Sequence, residues 1–483
     1  MKMLINDQWV GSSDNTWISI RNPGTGVEID KVPKATLQDM EDVVAAAQKG
    51  RVAMRQLTAL QRYEILISFA QAIEERVPEL GRLLAEENGK PITQTRAEVA
   101  VTANIFRGFA EEAKRIFGRV MPVDAVRGND RHFAITIRQP LGVVAAIVPF
   151  NYPVELWGHK AASALAAGNA VISKPPSACP LTLLKIAELM EGCKIPPCAH
   201  QMVTGPGPVV GDFLARARGI QLVTVTGSTE VGIRIAQLAA ENLKKVHLEL
   251  GGNDAMIILA DADLEKAVDS VVLGRLARGN GQICCAVKRI FVEAPIFDQF
   301  TELLTKKAKS LKVGDQLQED TDVGPLISED AAKEVEAFVN GAIHAGAKLK
   351  AGGKRIKAFM EPTVLTEVSV DMKMFKEEVF GPVAPLVPFT SLEDAIRMAN
   401  DSPYGLQSAI FTRDINKAFD IAYKLEAGGV IINWSSALRV ETLPFGGIKM
   451  SGHGREGVHD TLAEMTDQKT IIVHNAFLPA SMS

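Results

Sequence analysis

The amino-acid sequence predicts an α/β fold in which two doubly wound α/β lobes are accompanied by a small antiparallel arm. The chain has 483 residues, more than the roughly 250–300 that one hydrophobic core organises, so we expect at least two lobes. Short apolar strands alternate with helices over residues 142–249 and again over 255–432, which is typical of parallel sheets covered on both faces. Residues 131–139 instead alternate apolar with polar side chains, which indicates a half-exposed antiparallel strand.

Helices are predicted for much of the first quarter of the chain. Thr36 is a candidate N-cap with Asp39 three positions later, and Gly50 is expected to end this first helix. Periodic apolar stretches predict further helices over residues 57–87 and 93–117.

The two alternating regions predict strands and helices of ordinary length. The predicted strands of the first region are Val143–Val148, Ala170–Ser173, Gln201–Val203, Leu222–Thr226 and Val246–Leu248. Its predicted helices cover residues 154–167, 180–192, 208–217 and 229–242. In the second region helices are expected to open near Asp263, Ile296, Glu329, Leu392 and Asp414. The strand-like segment Lys469–His474 is a candidate partner for residues 131–139, and open strand edges of this kind predict an oligomer.

The composition argues against several classes of protein. The net charge is −4 and no block of Lys or Arg dominates, so we expect no nucleic-acid partner. The longest apolar run, Leu141–Phe150, is far shorter than the ~20 residues that span a bilayer, and the N-terminus lacks the apolar core of a signal peptide. Five cysteines make no disulfide framework, and we therefore expect a reducing, cytoplasmic setting without membrane association.

A metal site is not expected from the cysteine and histidine pattern. Cys193, Cys198 and His200 lie near one another in sequence, but their spacing is not that of a C-x₂-C ligand pair and no second pair exists. We predict no metal.

Two short segments carry the residues of a covalent mechanism. Cys284 lies in Gly-Gln-Ile-Cys-Cys, where nearby glycines let a carbonyl group approach a thiol closely. Glu249 lies in Leu-Glu-Leu-Gly-Gly, where its carboxylate is a candidate general base. The alternative is that the cysteines are ordinary packing residues and that Glu249 is a surface carboxylate.

Other segments at strand ends point to a nucleotide and to an oxyanion. Lys174 ends a buried strand, and Gly227-Ser228 opens a helix whose free N–H groups favour anions. Glu378 and Phe380 place a carboxylate and an aromatic ring on one short segment, and Asn151 follows another strand end, where its amide is a candidate oxyanion donor. Each also has a plainer interpretation, as a solvated Lys, a helix N-cap or an Asn that satisfies its own turn.

Taken together and in this order, these segments closely resemble the aldehyde dehydrogenase superfamily. The resemblance covers nearly the whole chain, and the Glu249-to-Cys284 interval is one residue longer than usual, with the extra residue falling in Arg275–Asn280. The matching segments are Pro-Phe-Asn-Tyr-Pro (149–153), Ser-Lys-Pro (173–175), Thr-Gly-Ser-Thr-Glu-Val-Gly (226–232), Leu-Glu-Leu-Gly-Gly-Asn (248–253), Gly-Gln-Ile-Cys (281–284), Glu-Glu-Val-Phe-Gly-Pro (377–382) and Leu-Pro-Phe-Gly-Gly-Ile-Lys-Met-Ser-Gly (443–452).

The resemblance implies an NAD- or NADP-dependent oxidation of an aldehyde to its acid. Cys284 would attack the aldehyde, Asn151 and the Cys284 N–H would hold the oxyanion, hydride would pass to nicotinamide, and Glu249 would activate the hydrolytic water. The presence of Glu249 argues against relatives that transfer the acyl group to coenzyme A. The implied cofactor-binding residues are Phe150, Lys174, Ser177, Gly227, Ser228, Leu250, Glu378 and Phe380. Ser177 stands where NAD-preferring members often carry a Glu, so we expect NADP to be accepted.

The resemblance also implies a division of the chain. Residues 1–117 and 141–251 would form the cofactor-binding domain and residues 252–450 the catalytic domain. Residues 118–140 and 451–483 would form the oligomerisation arm and C-terminal tail of a homodimer or homotetramer.

The expected substrate is a short hydroxy- or acid-bearing aldehyde such as lactaldehyde, glycolaldehyde or a semialdehyde, with phosphorylated or sulfonated short aldehydes as the alternative. Tyr152, His159, Arg107 and Arg439 are the candidate substrate residues; the alternative for Arg439 is that it pairs with Glu441 or faces solvent. A cysteine hydrolase or a non-enzymatic protein on this fold are the rivals from other classes; none of the eight histidines lies in a triad-like motif.

Overall fold

The computed structural model describes residues 1–476, so the last seven residues of the predicted C-terminal tail, 477–483, lie outside the described residues. Its α-helices are α1 Leu37–Arg55, α2 Ala59–Glu74, α3 Val77–Asn88, α4 Ile92–Ala113, α5 Pro153–Ala167, α6 Leu181–Leu189, α7 Gly207–Arg216, α8 Thr229–Ala240, α9 Leu264–Val271, α10 Phe297–Ser310, α11 Glu329–His344, α12 Lys373–Lys376, α13 Leu392–Asn400, α14 Ile415–Lys424 and α15 Val458–Glu464.

The strands are short, and most of those in the two large sheets are buried. They are β1 Met3–Ile5, β2 Gln8–Val10, β3 Trp17–Arg21, β4 Glu28–Pro33, β5 Arg119–Met121, β6 Phe133–Pro140, β7 Val143–Ile147, β8 Ala170–Lys174, β9 His200–Met202, β10 Leu222–Thr226, β11 Lys245–Glu249, β12 Asp254–Ile258, β13 Val287–Glu293, β14 Lys348–Ala351, β15 Arg355–Ile356, β16 Phe359–Met360, β17 Thr363–Thr366, β18 Val383–Phe389, β19 Tyr404–Gly405, β20 Gln407–Phe411, β21 Gly429–Ile432, β22 Ile448–Lys449, β23 Gly452–His453 and β24 Thr466–Val473.

Two large sheets confirm the predicted α/β class. The first has the order β2-β1-β9-β8-β7-β10-β11-β23 and is parallel from β9 to β11, with antiparallel strands at both edges. The second has the order β14-β17-β18-β13-β12-β20-β21 and is parallel except for β14. Helices cover both faces, which is why the central strands β7, β10 and β12 are buried along their whole length.

The predicted pairing of the C-terminal segment with residues 131–139 is confirmed. β24 runs antiparallel to β6 in an unbroken register from Thr466↔Pro140 to Val473↔Phe133, and β5 covers the other edge of β6. The outer edge of β24 is open, and Ile472 is 63% exposed.

Gly50 has a different role from the predicted helix stop. The predicted capping box is present, because Thr36 and Asp39 cap α1 reciprocally, but the helix continues past Gly50 to Arg55. A Cβ atom at Gly50 would lie 2.0 Å from the carbonyl oxygen of Cys198. Gly50 is therefore required by the close approach of α1 to the segment that leads into β9 and not by a turn. Strands β1 to β4, in the first 33 residues, were not predicted.

The first sheet positions several of the candidate residues. Strands β7, β8, β10 and β11 are neighbours and parallel, so their carboxyl ends meet at one edge. Asn151, Lys174, Gly227 and Glu249 lie at or just beyond these four ends. This is the edge at which open α/β sheets bind their ligands.

Two helix glycines provide a matched test of this packing. We expect Gly50→Ala to destabilise the protein by roughly 1–3 kcal/mol because the new methyl group collides with the Cys198 carbonyl. Gly341→Ala on α11, where a Cβ meets nothing within 4 Å, should stabilise by about 0.5–1 kcal/mol through helix propensity. Urea unfolding midpoints of the two variants measure both effects, and equal shifts would contradict the packing argument.

Candidate active site

The loop that carries Cys284 is fixed by an asparagine in a left-handed conformation. Asn280 has φ 55°, between Gly279 at φ 59° and Gly281 at φ 73°. Its side-chain amide donates to the carbonyl oxygens of Gly89 (3.0 Å) and Pro325 (2.9 Å), and its side-chain oxygen accepts from a backbone N–H. Asn tolerates this backbone conformation better than most residues, and the three hydrogen bonds hold the loop that leads to Cys284.

A π-helical turn over Val272–Ala277 precedes this loop. Insertion of one residue into an α-helix commonly produces such a turn, which is consistent with the one-residue-longer Glu249-to-Cys284 interval that the resemblance implies. The buried Arg275 guanidinium stabilises it by donating to the carbonyl oxygens of Val379 and Val383. The loop thereby contacts the segment that carries Glu378 and Phe380.

Glu249 ends β11 as a buried carboxyl group. It is 1% exposed, and neither side-chain oxygen has a hydrogen-bond partner in residues 1–476. Burial, followed by the negative charge of Glu456, raises the pKa of Glu249 to about 8. A carboxyl group that is easily protonated near neutral pH can accept a proton from water and release it again.

Cys284 is the partly exposed cysteine of the five, and the structure brings it to Glu249. A Cβ atom at Gly252, three residues after Glu249, would lie 2.6 Å from the Cys284 carbonyl oxygen, so this glycine permits the approach of the two segments. A hydrogen bond with Cys285, burial and the nearby Glu249 raise the pKa of the Cys284 thiol above its usual range. The thiol is thus protonated at neutral pH.

A buried ion pair holds Asn151 beside Cys284. Lys90 and Glu98 are paired at 0–1% side-chain exposure, and the Lys90 ammonium donates to the Asn151 carbonyl oxygen at 2.6 Å. Glu98 also accepts from the Val154 N–H at the start of α5 (2.9 Å). The Asn151 side-chain amide donates to no protein group in the described chain and lines the clefts on both sides of Cys284. It is available to a carbonyl oxygen bound at the thiol.

A cleft of about 470 Å³ lies on one side of Cys284, and it contains most of the residues predicted to bind the cofactor. Phe150 and Phe380, which both line it, pack edge to face with 5.8 Å between their ring centroids. Ser228 caps α8 by accepting from the Val231 N–H. The candidate cofactor residues that line the cleft are Phe150, Gly227, Ser228, Glu378 and Phe380.

The remaining three candidate cofactor residues lie outside the lining of this cleft. Leu250 is buried against α8, where a Cβ atom at Gly232 would clash with its side chain. The Lys174 ammonium donates to the Ser177 hydroxyl (3.2 Å), which donates to the Gly205 carbonyl oxygen (2.9 Å). Burial lowers the pKa of Lys174 to about 8, and no carboxylate pairs with it in the described residues. With this lowered pKa the Lys174 amine is partly neutral near pH 8, and a negative charge bound beside it would favour its protonated form.

A small pocket of about 30 Å³ lies on the other side of Cys284, with room for two or three water molecules. Two arginines line it. Arg439 is already neutralised, because Glu456 accepts from it at 2.7 Å and Glu155 lies at 3.8 Å; the alternative pairing with Glu441 does not occur. Arg278 donates to the Ala437 carbonyl oxygen (3.2 Å) and forms no ion pair in the described chain.

Arg278 was not among the predicted substrate residues. Its guanidinium lies 5.5 Å from the centroid of the Tyr152 ring, which also lines the pocket. A cation six positions before Cys284, in the same loop, is a signal in the sequence that could have identified it.

The structure does not bring the other two predicted substrate residues to the pocket lining. His159 is 1% exposed on α5, its ring nitrogens have no partner in the described residues, and burial followed by Arg439 lowers its pKa well below the usual range. Arg107 pairs with Glu74 on α2, at the protein surface. Their proposed contact with substrate stays a prediction.

Within residues 1–476 no group of three or more His, Cys, Asp or Glu side chains is arranged to hold a metal ion. None of the helices in that range is long and apolar enough to cross a membrane.

Comparison with known proteins agrees with this geometry. The model of the aldehyde dehydrogenase family matches residues 9–471. The 3-sulfolactaldehyde dehydrogenase of Priestia aryabhattai is 39% identical over 472 residues, covering 98% of each chain. The lactaldehyde dehydrogenase of Methanocaldococcus jannaschii is 41% identical over 475 residues, covering 98% of this chain and 100% of that one. An NADP-dependent enzyme of E. coli superposes with a TM-score of 0.95 at 36% identity, over 98% of each chain.

The burial of Glu249 predicts a pH-dependent stability difference. Its pKa is about 8 in the folded protein against 4.5 ordinarily, so the native state binds more protons between these values and loses stability as pH rises through them. We expect Glu249→Gln to match the wild type below about pH 4.5 and to be more stable by roughly 2–4 kcal/mol above about pH 8. Denaturant unfolding across this range measures the difference; a constant difference would contradict the assigned burial.

Proposed function

This chain belongs to the aldehyde dehydrogenase family, and we propose that it oxidises a short aldehyde with a polar or anionic tail to the corresponding acid. The observation that carries this proposal is the Arg278 guanidinium, which lines the small pocket beside Cys284 without an ion-pair partner in the described chain. A guanidinium binds carboxylate, phosphate or sulfonate oxygens in a bidentate manner. The pocket volume of about 30 Å³ favours a short tail. The relatives named for lactaldehyde and 3-sulfolactaldehyde support a three-carbon aldehyde.

We further propose roles for the three groups around the thiol. The Cys284 thiolate attacks the aldehyde carbon, and the Asn151 amide and the Cys284 N–H donate to the oxygen that becomes negative. A bound nicotinamide cofactor supplies the hydride acceptor that converts this adduct to a thioester. Glu249, in its ionised form, then takes a proton from the water that attacks the thioester carbonyl. The acid leaves, and Cys284 is released as the thiolate.

The residues of the larger cleft fit a dinucleotide. The cleft opens at the carboxyl ends of β7, β10 and β11 and against the N-terminus of α8, where free N–H groups favour a pyrophosphate. We propose that Lys174 and Ser177 meet the adenosine ribose, that Gly227 and Ser228 meet the pyrophosphate, and that Glu378 accepts from the nicotinamide ribose. Phe150, Leu250 and Phe380 would supply apolar contacts. The predicted cofactor-binding and catalytic domains are part of this proposal.

An oligomer is also part of the proposal. The outer edge of β24 and the outer edge of β21 carry no further strand in the described chain, and the exposed apolar residues of β24 include Ile471 and Ile472. Open edges with apolar side chains favour a second copy as the partner. Sedimentation at micromolar concentration tests this, and a monomer at all concentrations would refute it.

Two variants separate the proposed chemical steps. Cys284→Ala should abolish turnover because no covalent adduct forms. Glu249→Gln should release a rapid burst of reduced cofactor and then turn over about 10²–10⁴-fold more slowly, since it lacks the base for hydrolysis. Stopped-flow absorbance of the reduced cofactor distinguishes the phases. Full activity of Cys284→Ala would refute the proposed nucleophile.

The cofactor proposal is tested at Ser177. Because residue 177 is a serine, Lys174 has no carboxylate partner and can attract a 2′-phosphate. A Glu at this position would repel each phosphate charge by a few kcal/mol at ~4 Å. We expect Ser177→Glu to raise the KM for NADP at least about tenfold with little effect on NAD. In the wild type, the KM for NADP should rise above about pH 8 as Lys174 loses its proton. Equal effects on both cofactors would contradict the account.

The substrate proposal is tested with two aldehydes that differ only in a sulfonate. Arg278→Met should lower kcat/KM for 3-sulfolactaldehyde by about 10–100-fold, the effect of losing a charged hydrogen bond, and should affect lactaldehyde little. Arg439→Met should affect both aldehydes alike, because its charge is already balanced by Glu456 and Glu155. An Arg278 effect of equal size on both aldehydes would exclude an anion site there.

A further inference from the structure

Lys288 is a buried cation directly behind Cys284. It lies on β13, four residues after Cys284, and its side chain is 1% exposed. Its ammonium group donates to the carbonyl oxygens of Ile283 (2.9 Å) and Cys284 and is paired with the Glu378 carboxylate at 2.9 Å. Two hydrogen bonds to backbone carbonyl oxygens and one ion pair thus hold the ammonium in place.

Glu378 faces Lys288 on one side and the larger cleft on the other. Its side chain is 18% exposed and lines that cleft, and the same oxygen that pairs with Lys288 also accepts from the Gly252 N–H at 3.3 Å. One carboxylate is therefore shared between a buried cation and whatever group donates to it from the cleft. A ligand hydroxyl that donates to Glu378 draws part of its negative charge away from Lys288.

We propose that Lys288 is a positioning residue that couples occupation of the cofactor cleft to ionisation of the Cys284 thiol. Its two carbonyl contacts hold the Cys284 backbone and keep the ammonium near the thiol when Glu378 engages a ligand. The positive charge, less compensated by Glu378, then stabilises the thiolate more strongly. The thiol proton leaves to solvent buffer, and no other bond is made or broken.

The charges around the thiol make Lys288 the group suited to this coupling. Glu249 opposes ionisation of Cys284, and Lys288 favours it. Arg439 is neutralised by Glu456, and Arg278 lies toward the aldehyde pocket. Lys288 alone among these cations contacts both the Cys284 backbone and a carboxylate of the cofactor cleft. The titratable groups that act on the Cys284 thiol are Cys285, Glu249 and Lys288. Around Cys285 lie Asp254, Arg278 and Arg439, and Glu378 pairs with Lys288.

This inference rests on the roles proposed above for Cys284 and Glu378, and not on the identity of the aldehyde. The test therefore contains no aldehyde. The rate at which iodoacetamide alkylates the Cys284 peptide is followed by mass spectrometry in the full-length enzyme, from about pH 6 to about pH 10, with and without saturating NADP or NAD. The midpoint of each profile gives the apparent pKa of the thiol.

The wild type should show a fall of about one unit in thiol pKa on cofactor binding, equivalent to tenfold more thiolate below the midpoint. Lys288→Gln should raise the Cys284 thiol pKa in the cofactor-free enzyme, and cofactor binding should then lower that pKa much less than in the wild type. Lys288→Arg should keep the full cofactor-dependent decrease. Glu378→Gln should lower the pKa without cofactor, with little further change on binding. Persistence of the full shift in Lys288→Gln would overturn the proposal.

A matched control separates the coupling from general damage to the site. Lys90→Gln removes another buried, carboxylate-paired lysine, one that contacts the Asn151 carbonyl and not Cys284. It should lower stability and leave the cofactor-dependent shift intact. If Lys288→Gln does not fold, the Glu378→Gln variant provides the test. A thiol pKa in cofactor-free Glu378→Gln that equals or exceeds the wild-type value overturns the proposal. If Cys284 is not the preferentially alkylated cysteine, the proposed nucleophile fails, which is a distinct result.

Discussion

The desolvation of the Glu249 carboxyl group is the constraint on which the rest of the site depends. A carboxylate enclosed by protein without a hydrogen-bond partner is costly, and the structure accommodates it by favouring the protonated form. Glu456 adds to this effect, whereas Cys284, Arg439 and Lys160 oppose it. The resulting pKa of about 8 gives a group that is exchangeable near neutral pH. Such a group gains its reactivity from an environment that lowers the stability of the fold.

The cations around this carboxyl group differ in how far nearby carboxylates neutralise them, and this difference determines which of them can act on a ligand. Glu456 lies between Lys160 and Arg439, each at 2.7 Å, and although its own burial opposes ionisation these two cations hold its pKa well below the usual range. Buried charges that are paired in this way help to fix the local structure, and they offer little uncompensated charge to a ligand. Arg278 keeps its charge for the pocket, and Lys288 divides its charge between the Cys284 backbone and Glu378.

The backbone contacts explain why the motif residues must be what they are. Gly252 admits the Cys284 carbonyl at a distance that any side chain would block, and a Cβ atom at Gly281 would lie 2.5 Å from Gly381. The cysteine segment is thereby joined to the end of β11 and to the segment that bears Glu378. Asn280 then fixes the turn through three hydrogen bonds that no sequence pattern specified.

The sequence by itself predicted the α/β class, most helix positions and the parallel strands of the first sheet, because apolar periodicity is written in short stretches of chain. Cys284, Glu249 and Asn151 became candidates through their motifs and through the resemblance that these motifs carry together. It also offered the C-terminal strand as a candidate partner of β6, and the structure confirms this pairing. Only the tertiary structure decided which arginine is available to a ligand, because that depends on carboxylates brought from elsewhere in the chain: Glu456 and Glu155 neutralise Arg439, and none pairs with Arg278 in the described residues. The tertiary structure likewise decided that Gly50 permits a close backbone contact and that Lys288 pairs with Glu378. Each contact joins segments roughly 90–150 residues apart in sequence, and only folding brings such segments together.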